Sequence, residues 1–276
     1  MVFLVDNGSV RADAYINLCR IADAVSRVIG ENISPAPLLH GNKIPAEQLN
    51  GQAVKVLEEQ MVEAIEEGTN SFTILPLFFG QSGALMDYLP RRIGKLAKKH
   101  PALRTKILGS LYQSKSNGGD ILVRILQDLV RQTIKVHGLK SSNIVLVDHG
   151  SPKKVVTNVR NELAEFLREQ MSCKIDVSPA SMECRIGPDY DFNEPLLESI
   201  LRKAPFNSGS VIIAQLFLSP GRHAGPEGDI ASICRTAENE NQDLKTYRTE
   251  LVGAHPLLID LLVRRWEEGK SFHLNK

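Results

Sequence analysis

Short apolar runs alternate along the chain with longer segments of mixed charge in which the apolar positions recur at helical spacing. Runs such as residues 2–5 and 144–147 show no polar alternation, which is the pattern of strands buried on both faces of a parallel sheet. In the second half the pattern predicts a strand at 144–147 and a helix over 153–170 with Val155, Val159, Leu163, Phe166 and Leu167 on one face. There follow a strand over 175–181, a helix over 194–202, a strand over 210–218, a helix over 229–240, a strand over 246–252 and a last helix over 257–268. Strand–helix alternation at this spacing gives a parallel sheet with helices on both faces.

The first half repeats that order. Val-Phe-Leu-Val-Asp-Asn-Gly-Ser at 2–9 aligns with Ile-Val-Leu-Val-Asp-His-Gly-Ser at 144–151, and residues 33–38 align with 177–182. Residues 72–79 align with 211–218, and 107–109 with 251–253, so four blocks recur in one order at nearly constant separation. The chain reads as a tandem duplication joined near Lys140–Asn143. The expected fold is α/β, with two doubly wound parallel-sheet units, 1–139 and 140–276, forming an internal pseudo-dimer.

Composition narrows the function classes. Thirty-three Lys and Arg against 32 Asp and Glu leave a net charge of +1, which argues against a nucleic-acid partner. The apolar runs are strand-sized, below the roughly 18–20 residues needed to span a membrane, and the first is too short for a signal-peptide core. Cys19, Cys173, Cys184 and Cys234 form no CxxC pair. That pattern suits a reducing compartment, cytoplasmic, or a plastid stroma if a transit peptide has been removed.

In open α/β sheets ligands bind beyond the carboxyl ends of the strands. Asp148-His149-Gly150-Ser151 follows the first strand of the second half, Glu183 the second, and a Gly/Pro-rich loop ending in Arg222-His223 the third. His149, His223 and Glu183 therefore converge on one edge. Two imidazoles and a carboxylate suit cobalt, nickel or iron and accept protons near neutral pH. Each has a plainer reading as a surface or capping group. His255, before Pro256, reads as a capping residue, and His100, His137 and His273 as surface; His40 has no metal partner. Ser151 lacks the G-x-S-x-G elbow of a serine hydrolase, and Asp148–Ser151 lacks the Lys of a P-loop.

The segments Val147-Asp-His-Gly-Ser151 and Leu216-Phe-Leu-Ser-Pro-Gly-Arg-His223, followed by Asp229-Ile230, resemble the CbiX/SirB-like sirohydrochlorin chelatases, which are class II chelatases. Met182-Glu183 and Glu194-Pro195 resemble the family's carboxylate strand end and next helix start, with a longer stretch between them. The resemblance implies a chelatase-like fold and ATP-independent insertion of Co²⁺, Fe²⁺ or Ni²⁺ into sirohydrochlorin or a related tetrapyrrole. It implies that His149 and His223 hold the metal or take pyrrole protons and that Glu183 assists. The metal is then a substrate, no cofactor is permanently bound, and one chain serves as its own pseudo-dimer. In the first half Asn7 replaces the first histidine, loop 79–87 contains none, and Leu39 stands opposite Glu183. That half is expected to wall the tetrapyrrole site without catalysis, with Gln81, Ser82 and Met86 near the macrocycle. Arg222, Arg185, Lys153 and Lys154 are candidates for its acidic side arms. The alternative is a non-catalytic metal- or tetrapyrrole-binding protein derived from a chelatase.

Overall fold

The computed structural model describes residues 1–271. Strands β1 (Val2–Asp6), β2 (Ile33–Pro37), β3 (Ser71–Pro76) and β4 (Arg104–Ile107) form one parallel sheet in the order β2-β1-β3-β4. Strands β5 (Asn143–Asp148), β6 (Val177–Ser181), β7 (Gly209–Gln215) and β8 (Leu244–Arg248) form a second, in the order β6-β5-β7-β8. The helices are α1 (Ala12–Ile29), α2 (Leu57–Glu66), α3 (Leu89–Lys99), α4 (Gly119–His137), α5 (Lys154–Gln170), α6 (Leu197–Ile200), α7 (Asp229–Glu240) and α8 (Leu257–Ser271). The duplication holds to the level of register: Val2 pairs with Ile33 and Thr73, and its counterpart Ile144 pairs with Val177 and Ile212.

Each central strand is apolar on both faces because helices cover both. Val145 and Val147 pack with Leu197 of α6 and with Ile230 and Cys234 of α7. Phe3 and Val5 pack with Leu57 and Met61 of α2 and Leu89 of α3. Ile144, Val145, Leu146 and Val147 are all fully buried, and each such side chain contributes roughly 1.5–3 kcal/mol relative to exposure.

Packing departs from the sequence expectations at five places. The compact units are Ser114–Leu258 and Met1–Gln113 together with the stretch from Ile259 on, so they do not follow the repeat boundary at 139/140. Helix α4 packs on α5 and β7, whereas Arg265 of α8 donates to the carbonyls of Ser110 (2.6 Å) and Leu111 (2.7 Å). Ile107 is in register with Ile74, but Arg248 is in register with Ile213. Aligning Ile107 with Leu251 is therefore three residues out, because extra chain lies between β8 and Gly253. The helix expected over 194–202 shrinks to α6, with turns from Leu201 toward Pro205. Val155, at the solvent end of α5, is 46% exposed, and the buried face carries Thr157 and Arg160 instead. Strand ends shift by two to four residues, as the β7 and β8 ladders end at Gln215 and Arg248.

The two halves treat one carboxylate differently. Asp6 and Asp148 end equivalent strands, and each accepts the N–H of the residue two ahead, Gly8 at 3.0 Å and Gly150 at 3.1 Å. Asp148 also has the guanidinium of Arg160 at 3.5 Å and the hydroxyl of Ser181 at 2.9 Å. At the matching positions of the first half stand Leu18 and Pro37. Burial pushes the Asp6 carboxyl from 3.8 up to about 7, with the Gly8 N–H pulling the other way. The folded chain then holds a proton that the unfolded chain has already lost, so stability falls as pH rises from about 4 to about 7. In Asp6→Asn the amide oxygen still accepts from Gly8 without this cost. Thermal melts should show wild type losing several degrees of Tm relative to Asp6→Asn between about pH 4 and about pH 8. Parallel pH profiles of the two proteins would refute the assignment.

Candidate functional site

The strand order places β5 between β6 and β7, so the loops after β5 and β7 face each other at the switch point of the sheet. Gly150 turns the chain there with φ +92°, and a Cβ on it would lie 2.0 Å from the carbonyl oxygen of Glu183. That close approach is fixed by Met182 N–H to the Asp148 carbonyl at 2.8 Å and Glu183 N–H to the His149 carbonyl at 3.2 Å. Glu183 Oε1 consequently lies 3.5 Å from His149 Nε2.

The loop after β7 brings His223 to the same place. Its end is tied by Asp229 N–H to the Arg222 carbonyl and Ile230 N–H to the His223 carbonyl, each at 3.2 Å. The rings of His149 and His223 meet edge to face with centroids 4.6 Å apart. Asp229 Oδ2, at the start of α7, is 2.6 Å from His223 Nδ1, and the Gly150 carbonyl is 3.1 Å from His149 Nδ1. A carbonyl and a carboxylate can only accept, so in the neutral rings these two contacts favour the proton on Nδ1 and leave Nε2 as the electron-pair donor. The side chains of His149 and His223 are 47% and 28% exposed, so a solute can reach both rings.

Behind the loop lies a buried polar network that the sequence reading missed. Arg160 is fully buried, and its Nη1 donates to Ser181 Oγ, to the Asn193 carbonyl at 3.1 Å and to Asp148 at 3.5 Å. The Asn193 side chain grips Ser151 at both ends, accepting its N–H and donating to its carbonyl, each at 2.9 Å. Thr157 Oγ donates to the same Asn193 oxygen at 3.0 Å. Burial pushes the Asp148 carboxyl up, while Arg160 and then the Ser181 hydroxyl pull it back. A guanidinium out of water needs such acceptors, since an unpaired buried charge is costly. The available signal was an arginine between Val159 and Leu163 on the buried face of an amphipathic helix. Asp229 was legible only as an acid at a helix start.

Three predicted residues, His149, His223 and Glu183, thus lie on one sheet edge, although no group of three or more His, Cys, Asp or Glu among the described residues is arranged to hold a metal ion. His255 takes its plainer role, accepting the Leu257 N–H at 3.3 Å, and Ser151 Oγ accepts the Lys153 N–H at 3.1 Å as a turn residue. Arg222 is exposed and 3.7 Å from Asp229; Arg185, Lys153 and Lys154 are exposed. His137 is exposed beside Tyr247, His100 caps α3, and His273 lies outside the described residues. In the first unit Leu39 N–H bonds the Asn7 carbonyl at 3.1 Å, so Asn7 and Leu39 occupy the places of His149 and Glu183. His40 lines an open cleft of about 760 Å³ in that unit, with Leu39, Lys43, Tyr88 and Arg92. Ser82 Oγ caps Leu85 N–H, Gln81 is exposed, and Met86 is 51% exposed. No described helix is long and apolar enough to cross a membrane.

The fold and this edge define a two-unit chelatase-like α/β protein. Residues 143–269 match the CbiX family, so over its second half the chain is similar to CbiX/SirB-like chelatases. SirB from Bacillus subtilis, solved with Fe³⁺, superposes with a TM-score of 0.68 at 16% identity, covering 97% of this chain and 94% of SirB. The sirohydrochlorin chelatase SirB of Bacillus subtilis subspecies spizizenii in complex with cobalt gives a TM-score of 0.68 at 13% identity and the same coverage. A multi-domain protein of Deinococcus radiodurans with structural similarity to chelatases gives 0.65 at 14% identity, over 97% of this chain and 55% of that one. At such identities these likenesses establish the fold. No curated protein matches by sequence.

The close approach at Gly150 is testable. Gly30, with φ +72°, has nothing within 4 Å of an added Cβ, so Gly30→Ala pays backbone strain alone, on the order of 1 kcal/mol. Gly150→Ala adds a clash with the Glu183 carbonyl and should lower Tm well beyond Gly30→Ala. Equal Tm values for the two variants would mean that the loops separate without penalty.

Proposed function

We propose that the protein inserts a divalent metal ion into sirohydrochlorin or a closely related tetrapyrrole without ATP. The observation that carries this reading is the pair of facing imidazoles, both tied back through Nδ1 and both presenting Nε2. The CbiX match of the second half and the SirB-like fold support it. Cobalt, iron and nickel, here substrates, all suit imidazole nitrogen.

The chemistry to be catalysed exchanges one dication for two protons: two pyrrole N–H bonds break and the metal takes their place. In this reading His149 and His223 hold the incoming ion through Nε2 and release it to the ring nitrogens. The same Nε2 atoms, freed of the metal, then accept the displaced protons. Glu183, 3.5 Å from His149 Nε2, passes protons on to water. Asp229 keeps His223 in the tautomer that can do this. Two ligands in an open site bind a metal weakly enough to give it up, which a donor requires. The second reading, a tetrapyrrole or metal carrier without turnover, draws on the lack of a third assembled ligand among the described residues and on Asn7 and Leu39 in the first unit. One chain supplies both units, so neither reading needs a second copy.

An anaerobic absorbance assay with sirohydrochlorin and Co²⁺ or Fe²⁺ separates them. Wild type should accelerate the spectral shift of metal insertion, and His149→Ala and His223→Ala should fall to the rate in buffer. Asp229→Asn should weaken Co²⁺ binding roughly 10- to 100-fold, as loss of the partner of a metal-binding histidine does. A wild type that shifts the pigment spectrum on binding yet inserts no metal would establish the carrier reading instead.

A further inference from the structure

Between Glu183 and Asn193 the chain forms an arm that is anchored at both ends and exposed between them. Its start is fixed by the Glu183 N–H on the His149 carbonyl. Its end is fixed by Asn193, which grips Ser151 and is itself held by the fully buried Arg160. The first unit makes no such investment, since Leu18 fills the place of Arg160 and Pro37 that of Ser181. The sheet there keeps the same order and register. The fold therefore does not require a guanidinium at this helix position, where one occurs only in the repeat that carries the paired histidines. What it secures is the arm.

The arm offers two kinds of group. Ile186 is fully exposed (102%), and Arg185 is exposed with its guanidinium 5.7 Å from the ring of Tyr190. Tyr190 lies beside Phe192, centroids 6.4 Å apart. A single exposed isoleucine is ordinary, but this one sits beside a stacked guanidinium, three residues from a side chain of the site, on a segment that a buried arginine holds down. An apolar surface next to a cation suits a flat apolar solute edged with carboxylates. We propose that Arg185 and Ile186 are specificity-determining residues for the tetrapyrrole, Ile186 against the macrocycle and Arg185 on a peripheral carboxylate. This rests on the chelatase reading for the identity of the solute but not on turnover.

Metal-free sirohydrochlorin, titrated into the full chain and followed by pigment absorbance, tests it with no insertion step involved. Both positions are exposed, so Arg185→Ala and Ile186→Ser should melt as wild type does. Ile186→Ser should raise Kd for the pigment roughly tenfold. Arg185→Ala should raise it several-fold, and the difference from wild type should shrink in high salt. Co²⁺ binding at the histidines should be unchanged in both, which a general disturbance of the loop would not allow. Wild-type pigment affinity in both variants, or a wild type that does not bind the pigment, overturns the proposal. Arm-dependent pigment binding by a wild type that inserts no metal would sink the chelatase reading and leave the arm standing.

Discussion

Everything at the candidate site hangs on how closely two loops can approach at the carboxyl edge of a parallel sheet. Strands β5 and β6 deliver His149 and Glu183 only because Gly150 lets the backbone turn at positive φ and press against the Glu183 carbonyl. Gly8 does the same against the Leu39 carbonyl, where a Cβ would lie 1.8 Å away. The hydrogen bonds around it, Leu38 N–H to Asp6 at 3.0 Å and Leu39 N–H to Asn7 at 3.1 Å, repeat those of the second half. The duplicated unit thus carries a ready-made loop junction whose shape is independent of the side chains placed on it. Chemistry is then a matter of substitution: histidine and glutamate on one junction, asparagine and leucine on the other.

The same comparison separates what stabilises from what specialises. A guanidinium with no exposure, a carboxylate, a hydroxyl and a carboxamide make a network whose desolvation cost offsets much of its attraction. Leu18 does the packing job of Arg160 without that cost. A purely structural need would be met by the leucine, so the polar version is explained by what it holds, Ser151 on one side and the segment ending at Asn193 on the other. The first half has kept Asp6 without those partners, and burial, opposed there only by backbone N–H groups, pushes its carboxyl up to about 7. That is the expected trace of a junction that retains its carboxylate without the partners that suit an ionised form.

Periodicity carried the fold and much of the site. Unbroken apolar runs identified strands buried on both faces, and the repeat supplied the second sheet from the first. His149, His223 and Glu183 followed from reading strand ends, because in this architecture the strand ends and the ligand edge coincide. What periodicity could not carry was decided by long-range packing. Arg160 scores as a polar break in an apolar stripe until Asp148 and Asn193 arrive from strands and turns far along the chain. Val155 scores as core, yet it lies on the first turn of α5, beyond the sheet. The placing of α4 and α8 in compact units other than those of their own repeats leaves no local mark, since an amphipathic helix does not encode which sheet it will cover.

A site that must surrender its metal is under the opposite constraint from one that keeps it. A structural centre closes four ligands around the ion and buries them. Here two imidazoles are partly exposed, and the groups behind them, the Gly150 carbonyl and Asp229, contact the rings only through Nδ1. In the chelatase reading, open coordination is what would allow four ring nitrogens to outcompete two imidazoles. Precision would then have to come from the hydrogen-bonded loop junction rather than from the number of ligands. On the chelatase reading, a small open pair on a heavily tied scaffold is what metal transfer asks for: the ties would fix where the ion is presented, and the openness would let it leave.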